Sequence, residues 1–533
     1  NGLLFYSTLS GSFNGDHVTD SLQEDYGVCV NANSTRYESN SDIRTEVKTV
    51  TLSDNTTVNY TRYYCRVRNS SSEYTRLKNE GVCTESGTEL RCFDRLTRLK
   101  DALIEVFQDA EIKDNNILIG LGQYSSSTSS IETSSNADGS TGRILVAAKP
   151  MDNTHSDNLI KAIVNLSPYG GTPTAHAYAE IGAYMLGRTT KGSSENAGSG
   201  FDKSNTTDIK QDNKYKSPFG ATLPSPTDTC NGQGIYFLTD GAPNNSNNSS
   251  KLMRRALGLS SDFSDSGGLP NGSEDNNQMS YVGAFAKKIR SDYNIKTAVV
   301  GFGKDFIVNE NTLKLLEDPL TKKIKPYYDC SQLAGDARNA CNWGAKAHPD
   351  LPSGVGGYGE GGFYSAQSTD DVVQSVVKFL DDVKPEFDPV ATGSPTLPQD
   401  ALNPLRIQPY GYYASFVPKP QETTQLWVGN MNKYHIYNGE LYNNSKTIRL
   451  IKADGSLDST AEGLWTNGIK GQLPLGIGTN AANEQVANRT IYTNREITGT
   501  ATPYAANETN SLKKVNVATL FGTGSTALFV NDP

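Results

Sequence analysis

The stretch Gly234-Ile235-Tyr236-Phe237-Leu238-Thr239-Asp240-Gly241-Ala242-Pro243-Asn244 decides the fold. An apolar run with aromatic and β-branched members stops abruptly at Thr-Asp-Gly, followed by Pro and Asn. That pattern predicts a buried strand whose carboxyl end delivers a carboxylate into a turn. Ligands of open α/β sheets sit at the carboxyl ends of strands, so Asp240 is a candidate site residue by position.

Two other stretches extend the candidate site. Tyr169-Gly170-Gly171-Thr172-Pro173-Thr174-Ala175 leads into an apolar-periodic segment ending near Leu186. Gly-Gly gives a tight loop, Thr172 reads as a helix N-cap and Pro173 as the first helical residue. Leu3-Leu4-Phe5-Tyr6-Ser7-Thr8-Leu9-Ser10-Gly11-Ser12-Phe13 is a second apolar strand that ends in hydroxyls. Together the three loops supply hydroxyls and one carboxylate, a hard-oxygen donor set suited to Mg2+ or Ca2+.

Between these motifs the chain alternates strands and helices. Leu96, Leu99, Leu103, Val106 and Phe107 fall on one helical face, as do Leu159, Ile160, Ile163, Val164 and Leu166. Strands are predicted at 116–122, 143–148, 296–302 and around Phe363, and helices at 281–289 and 369–383. This order argues for a mostly parallel sheet with helices on both faces, spanning residues 1–384. The segments 188–228 and 244–277 read as polar connections, the first of them mobile. Asp262-x-Ser264-x-Ser266-Gly267 imitates the start of a calcium loop but has Ser273 at its twelfth position, and so reads as a turn. The glycines of 354–362 lack the spacing of a phosphate cradle and read as flexibility.

Residues 14–93 interrupt the alternation. This polar segment has strand-like texture at 57–67, little helical periodicity, and Cys29, Cys65, Cys83 and Cys92. It reads as a β-rich insertion stapled by disulfides, and its removal between residues 20 and 90 is expected to leave a folded core. Of the three remaining cysteines, Cys330 and Cys341 suggest a local loop, which leaves Cys230 as the expected free thiol. Prolines at 385, 389, 395, 398 and 404 mark a linker over 385–409. An all-β module at 410–533 follows, with short strands at 410–417, 425–428, 434–437 and 490–493 and hairpin turns at Asn438-Gly439 and Asp454-Gly455. No helix is needed there.

Composition narrows the function. The chain has 533 residues, a net charge of −9 and 36% hydrophobic residues. An acidic chain of this kind is a poor partner for nucleic acid. No window reaches the apolar length of a membrane span. His176 and Glu180 stand four apart on the helix after Thr172, a spacing usable for acid–base chemistry, yet such pairs usually decorate a helix surface. No nucleophile elbow or His-Glu-x-x-His accompanies them, so no enzyme is expected and no catalytic residue is assigned.

The hydroxyl and carboxylate set resembles the metal-ion-dependent adhesion site of von Willebrand factor A domains. Ser10 and Ser12 match that family's paired serines, Thr172 its threonine and Asp240 its last carboxylate. Thr8 stands where the family has its first Asp. A broader resemblance covers nearly the whole chain outside the cysteine-bearing insertion. "GGTPTA", "YFLTDGAPNN", the Pro-rich linker, "YYASFVPKP", "QLWVGNMNKYHIYNGEL" and "NRTIYTN" follow one another as in PilC/PilY-type proteins of type IV pilus tips. Trp427, Gly429, Asn430 and Tyr434 match that family's Trp-x-Gly-Asn-x-x-x-Tyr segment. The resemblance implies a doubly wound von Willebrand A domain followed by the start of a β-propeller-like domain whose remainder lies beyond this chain. It implies an adhesin and assembly factor at the pilus tip of a Gram-negative bacterium, secreted through the periplasm. Implied partners are minor pilins, a host-cell or surface ligand, and the rest of the propeller-like domain. A structural tip scaffold with a vestigial metal site is the alternative, and Thr8 is its best argument.

Overall fold

The computed structural model describes residues 2–7, 17–29, 42–114, 117–124, 140–166, 171–192, 197–204, 208–225, 232–239, 243–270, 278–303, 306–319 and 324–383 of the first part of the chain. Beyond these it describes 390–391, 399–400, 403–407, 409–417, 428–437, 440–452, 457–458, 460–472, 477–479, 485–487, 491–493 and 513–515. The chain divides into two compact units, Asn1–Glu386 and Phe387–Pro533.

A six-stranded sheet runs through the first unit. Its strands are β1 (Gly2–Ser7), β2 (Leu118–Tyr124), β3 (Gly142–Pro150), β4 (Gln233–Thr239), β5 (Ile295–Phe302) and β6 (Glu360–Ala366), in the spatial order β6-β5-β4-β1-β2-β3. All neighbours are parallel except β2 and β3, so the unit is of mixed α/β class. The run that opened the sequence analysis is the third strand from one edge. Every residue of β4 is buried, and alternation sends Ile235 and Phe237 to one face and Tyr236 and Leu238 to the other.

Each face carries its own helical layer. Helices α1 (Arg95–Gln108), α2 (Asn153–Val164) and α7 (Thr369–Val383) pack with Tyr236, Leu238, Val300 and Phe302. On the other face lie α3 (Thr174–Met185), α4 (Ser249–Leu257), α5 (Met279–Tyr293) and α6 (Gly335–Gly344) with Ile235, Phe237 and Val299. Asp94 caps α1 by accepting from the Thr97 N–H at 3.1 Å, and Asp152 caps α2 through His155 in the same way.

Several connections are more ordered than their polarity suggests. The described residues of segment 188–217 fold back over α3 and bury Thr190, Phe201, Ile209 and Tyr215, which corrects the reading of these residues as a mobile connection. The loop after β4 contains α4, whose Leu252, Met253 and Ala256 are buried. Around Asp262 the turn reading holds, with Asp262 paired to Arg254 at 2.9 Å and Gly267 at a φ of +72°. The glycines near 360 serve close packing rather than flexibility. A Cβ on Gly361 would lie 2.4 Å from the Ala298 nitrogen, where β6 shifts register against β5. A disulfide joins Cys330 to Cys341 across the start of α6.

The insertion is a four-stranded antiparallel sheet, Ile43–Thr51, Thr57–Arg68, Glu89–Phe93 and Thr84–Ser86 in spatial order. It also contains the helices His17–Tyr26 and Tyr74–Glu80, which the weak apolar periodicity hid. Disulfides Cys29–Cys65 and Cys83–Cys92 close a core with Val18, Leu22, Val67, Leu77 and Leu90. Cys230 lies outside the described residues. The insertion is not a detachable lobe. Val50, Leu52 and Tyr60 join the core under α1 and α2, and Asp25 pairs with both Arg95, at 2.6 Å, and Arg98 of α1. Removing residues 20–90 would therefore strip the core and take the Asp25 carboxylate from two nearly buried arginines, contrary to the expectation from sequence.

In the second unit Tyr410–Val417 pairs with Val428–Tyr437, which turns back to Glu440–Tyr442. The strand read at 434–437 begins already at Val428, the one described residue of the strand read at 425–428. Tyr413, Tyr434, Leu441, Leu450 and Ala461 form a small core, and a five-residue helix, Gly468–Gln472, adds the helix that the sequence did not require. Asn430 donates to the Asn467 carbonyl at 2.9 Å. Trp427 lies outside the described residues.

Candidate functional site

The sheet topology brings two of the three candidate loops to one edge. β1 and β4 lie side by side and parallel, with Ser7 opposite Leu238, so their carboxyl ends are level. Thr172 arrives from the third loop, just before α3. Its N–H donates to Asn244 Oδ1 at 2.8 Å, and the Asn244 N–H donates back to the Thr172 carbonyl at 2.8 Å. This reciprocal clip ties the loop ahead of α3 to the loop that follows β4. Asn244 was legible only as part of a turn signal. Its role in fastening Thr172 depends on contact across 72 residues of sequence.

Thr172 does not cap α3. Pro173 occupies the cap position, with no side-chain cap bond, so the helix starts one residue later than the Thr-Pro signal suggests. The Thr172 hydroxyl is thereby left free of the backbone. The residue is fully buried, and its Oγ1 has no hydrogen-bond partner among the described residues. Leaving a buried hydroxyl unpaired costs about 1–3 kcal/mol, so such atoms in a folded protein ask for a ligand. A neutral oxygen held in place by a backbone clip fits the needs of a hard divalent cation. Ser10, Ser12 and Asp240, and Thr8 beside them, lie outside the described residues. Among the described residues no group of three or more His, Cys, Asp or Glu side chains could hold a metal ion.

His176 and Glu180 are not surface decoration. All twelve residues of α3 are buried, and both side chains point into the segments that cover the helix. The His176 Nδ1 meets the Ser140 carbonyl at 2.7 Å, and Nε2 accepts the Asn248 N–H at 2.9 Å, which fixes the neutral tautomer with its proton on Nδ1. Burial lowers its pKa below the ordinary histidine value. Glu180 accepts from the Gly200 N–H at 2.8 Å, from the Thr190 hydroxyl at 2.6 Å and from the Tyr215 hydroxyl. Burial pushes its carboxyl up to about 7, against the pull of these donors and of the Lys210 charge. The pair clips Ser140 just ahead of β3, three residues of segment 188–217 and the start of α4 onto one helix. Neither group presents an acid or base to solvent.

No protein-family model matches the chain, and no curated protein matches it. Solved structures do. Two forms of the pilus adhesin SpaC from Lactobacillus rhamnosus GG, one in an open conformation, are 11% and 12% identical; each match covers 75% of this chain and 40% of the adhesin, at a TM-score of 0.26. A von Willebrand factor type A protein from Catenulispora acidiphila is 11% identical over 69% of this chain and 57% of its own, at a TM-score of 0.21. The chain spans less than half the length of the adhesin structures it matches. No helix among the described residues is long and apolar enough to cross a membrane.

Proposed function

We propose that this chain is part of a type IV pilus tip adhesin and assembly factor, whose first unit is a von Willebrand A domain with a cation-dependent binding site. The observation that carries this reading is the buried hydroxyl of Thr172, which has no hydrogen-bond partner among the described residues and sits on a loop clipped through Asn244 to the one that follows β4. Ser10, Ser12, Thr172 and Asp240 would hold Mg2+ or Ca2+. When bound, the cation supplies an open coordination position for a carboxylate oxygen of a partner. With Thr8 in place of an Asp, Asp240 is the only carboxylate of this set, so the cation keeps more of its charge for that incoming oxygen. Minor pilins and a host-cell or surface ligand are the proposed partners. The site is in the extracellular space of a Gram-negative bacterium, at the pilus tip, reached through the periplasm. The disulfide-stapled insertion is the proposed partner-specific surface, and no catalytic role is proposed.

The test is calorimetric titration of Mg2+ and Ca2+ into EDTA-stripped protein, repeated with Thr172→Val and Asp240→Ala. Val keeps the shape of Thr and removes only the partnerless hydroxyl, so Thr172→Val is expected to be at least as stable as the parent without metal. Both variants are expected to lose saturable binding. Absence of heat and of any thermal shift in the parent protein would replace this reading with that of a structural scaffold with a vestigial site.

A further inference from the structure

One face of the insertion sheet packs its Val50, Val58 and Tyr60 end under α1 and α2 and carries arginines over the rest. In register, Arg44 lies opposite Tyr64 and Tyr64 opposite Phe93, while Arg62 lies opposite Glu46. Arg66 lies opposite Arg91, and Arg68 opposite Glu89. Side chains alternate along a strand, so these residues share one face, and Cys65, Val67, Leu90 and Cys92 point to the disulfide core on the other. Like charges directly opposite each other cost stability unless anions stand between them, and Arg66 and Arg91 are such a pair.

The carboxylates on this face are shared among the arginines. Asp42 accepts from Arg66 at 3.0 Å and from Arg68 at 2.5 Å. Glu46 accepts from Arg91 at 2.8 Å and also from Arg62, and Arg62 donates in addition to Asp101 of α1 at 2.7 Å, which Lys48 also reaches at 3.1 Å. The Nε–H donors of Arg62, Arg66 and Arg91 are buried and have no hydrogen-bond partner among the described residues, so it is the outer, Nη ends of the guanidinium groups that this face offers to a ligand. The Arg62 guanidinium lies 3.9 Å from the Phe93 ring centroid, and that of Arg91 lies 5.3 Å from the Tyr64 centroid. Cations thus roof the two rings, while the Arg66 and Arg91 side chains themselves remain 26% and 32% exposed. Five arginines (Arg44, Arg62, Arg66, Arg68 and Arg91) and Lys48 meet four carboxylates (Asp42, Glu46, Glu89 and Asp101) on this face of a chain that is acidic as a whole.

We propose that this face binds an acidic polysaccharide through its repeated carboxylate or sulfate groups. Guanidinium forks match such oxyanions with paired hydrogen bonds. Spacings of about 4.8 Å between strands and about 6.8 Å between alternate residues set the forks out as a lattice for anions that repeat along a chain. A folded protein partner needs an apolar centre to its interface, and here the apolar rings are covered by charge. A lipid surface needs apolar side chains to insert. The exposed Val47 of this hairpin points to the opposite face, because its neighbours Glu46 and Lys48 share the arginine side. The inference rests on the attachment function proposed above and deepens it, but it requires no cation.

The test uses the full, disulfide-intact chain in EDTA, so that it is independent of the metal site. Immobilised heparin serves as the sulfated probe, polygalacturonate as the carboxylate probe and dextran as the neutral control. Saturable binding to at least one acidic polysaccharide is expected, weakening with added salt, with none to dextran. Arg66→Gln/Arg91→Gln is expected to weaken it roughly tenfold, the loss of two charge-assisted contacts. On the unmutated chain, the bound polysaccharide should protect Arg66 and Arg91 from phenylglyoxal, read by mass spectrometry, which does not depend on the variant folding. Absence of binding, binding without that protection, or an undiminished folded variant would overturn the proposal. So would tighter binding to polyglutamate or to phosphatidylserine vesicles, which would assign the face to an acidic protein or a membrane. Loss of metal binding with retention of polysaccharide binding would refute the cation site alone.

Discussion

Glu180→Gln isolates the energetic consequence of burying a carboxyl group among hydroxyls. The Glu180 carboxyl titrates at about 7 in the folded protein against 4.5 for a free glutamate, because burial disfavours its charged form. Below pH 4.5 the group is protonated in both states, and its contribution to stability is complete. Between pH 4.5 and 7 the unfolded chain releases the proton while the folded chain keeps it, so stability falls as pH rises. That interval is about 2.5 pH units, or about 3 kcal/mol at 1.36 kcal/mol per unit. Gln cannot ionise. Its carbonyl can accept from the Gly200 N–H and Thr190, and its amide can donate to Tyr215, which keeps its bond to Ser204 at 2.8 Å. The variant should match the parent near pH 4.5 and exceed it by about 3 kcal/mol at pH 8. Urea unfolding followed by helical circular dichroism reads this difference, since the long helices α1–α7 all lie in the first unit. A difference that does not change with pH, or a parent more stable than the variant at pH 8, would refute the reasoning.

Two further outcomes test the packing around the same helix layer. Gly200→Ala places a Cβ 1.4 Å from the Gly142 carbonyl oxygen, so it should cost at least about 2 kcal/mol; hydrogen exchange at the Ile144 amide, which donates to Ser204 at 2.9 Å, should quicken. Cys330→Ser/Cys341→Ser opens a disulfide with a sequence separation of 11 and should lower stability by about 3 kcal/mol, read as a lower urea midpoint.

The central fold was legible because its strands are apolar throughout and its helices keep strong one-sided periodicity. Gln233–Thr239 and Thr369–Val383 are such elements. Legibility failed where polar residues were buried in pairs. Segment 188–217 is rich in Ser, Lys, Asn and Asp, which reads as solvated loop. What orders it is a carboxyl group, Glu180, whose donors at Thr190, Gly200 and Tyr215 come from that segment. Composition carries no signal of such pairing. The same holds for the helix His17–Tyr26, where only Val18, Leu22 and Tyr26 give an apolar line and Asp25 is spent on Arg95 and Arg98. Arg62, Arg66 and Arg68 did carry a period-two signal within a strand-like stretch. It gained meaning only when the register placed Arg91 opposite Arg66.

Thr172 is where sequence and structure diverge most usefully. Thr-Pro before an apolar-periodic segment signals an N-cap, and a capping hydroxyl would be engaged by the helix backbone and closed to any ligand. The start of α3 one residue later releases that oxygen, and the reciprocal Asn244 clip uses the Thr172 backbone alone. Folding thus leaves a buried hydroxyl without a protein partner among the described residues, on a loop clipped to the one that follows β4. Because the clip holds the backbone and not the hydroxyl, a ligand bound there need displace no protein hydrogen bond of that oxygen. Its binding would recover the cost of the unpaired atom, so that cost becomes part of the affinity.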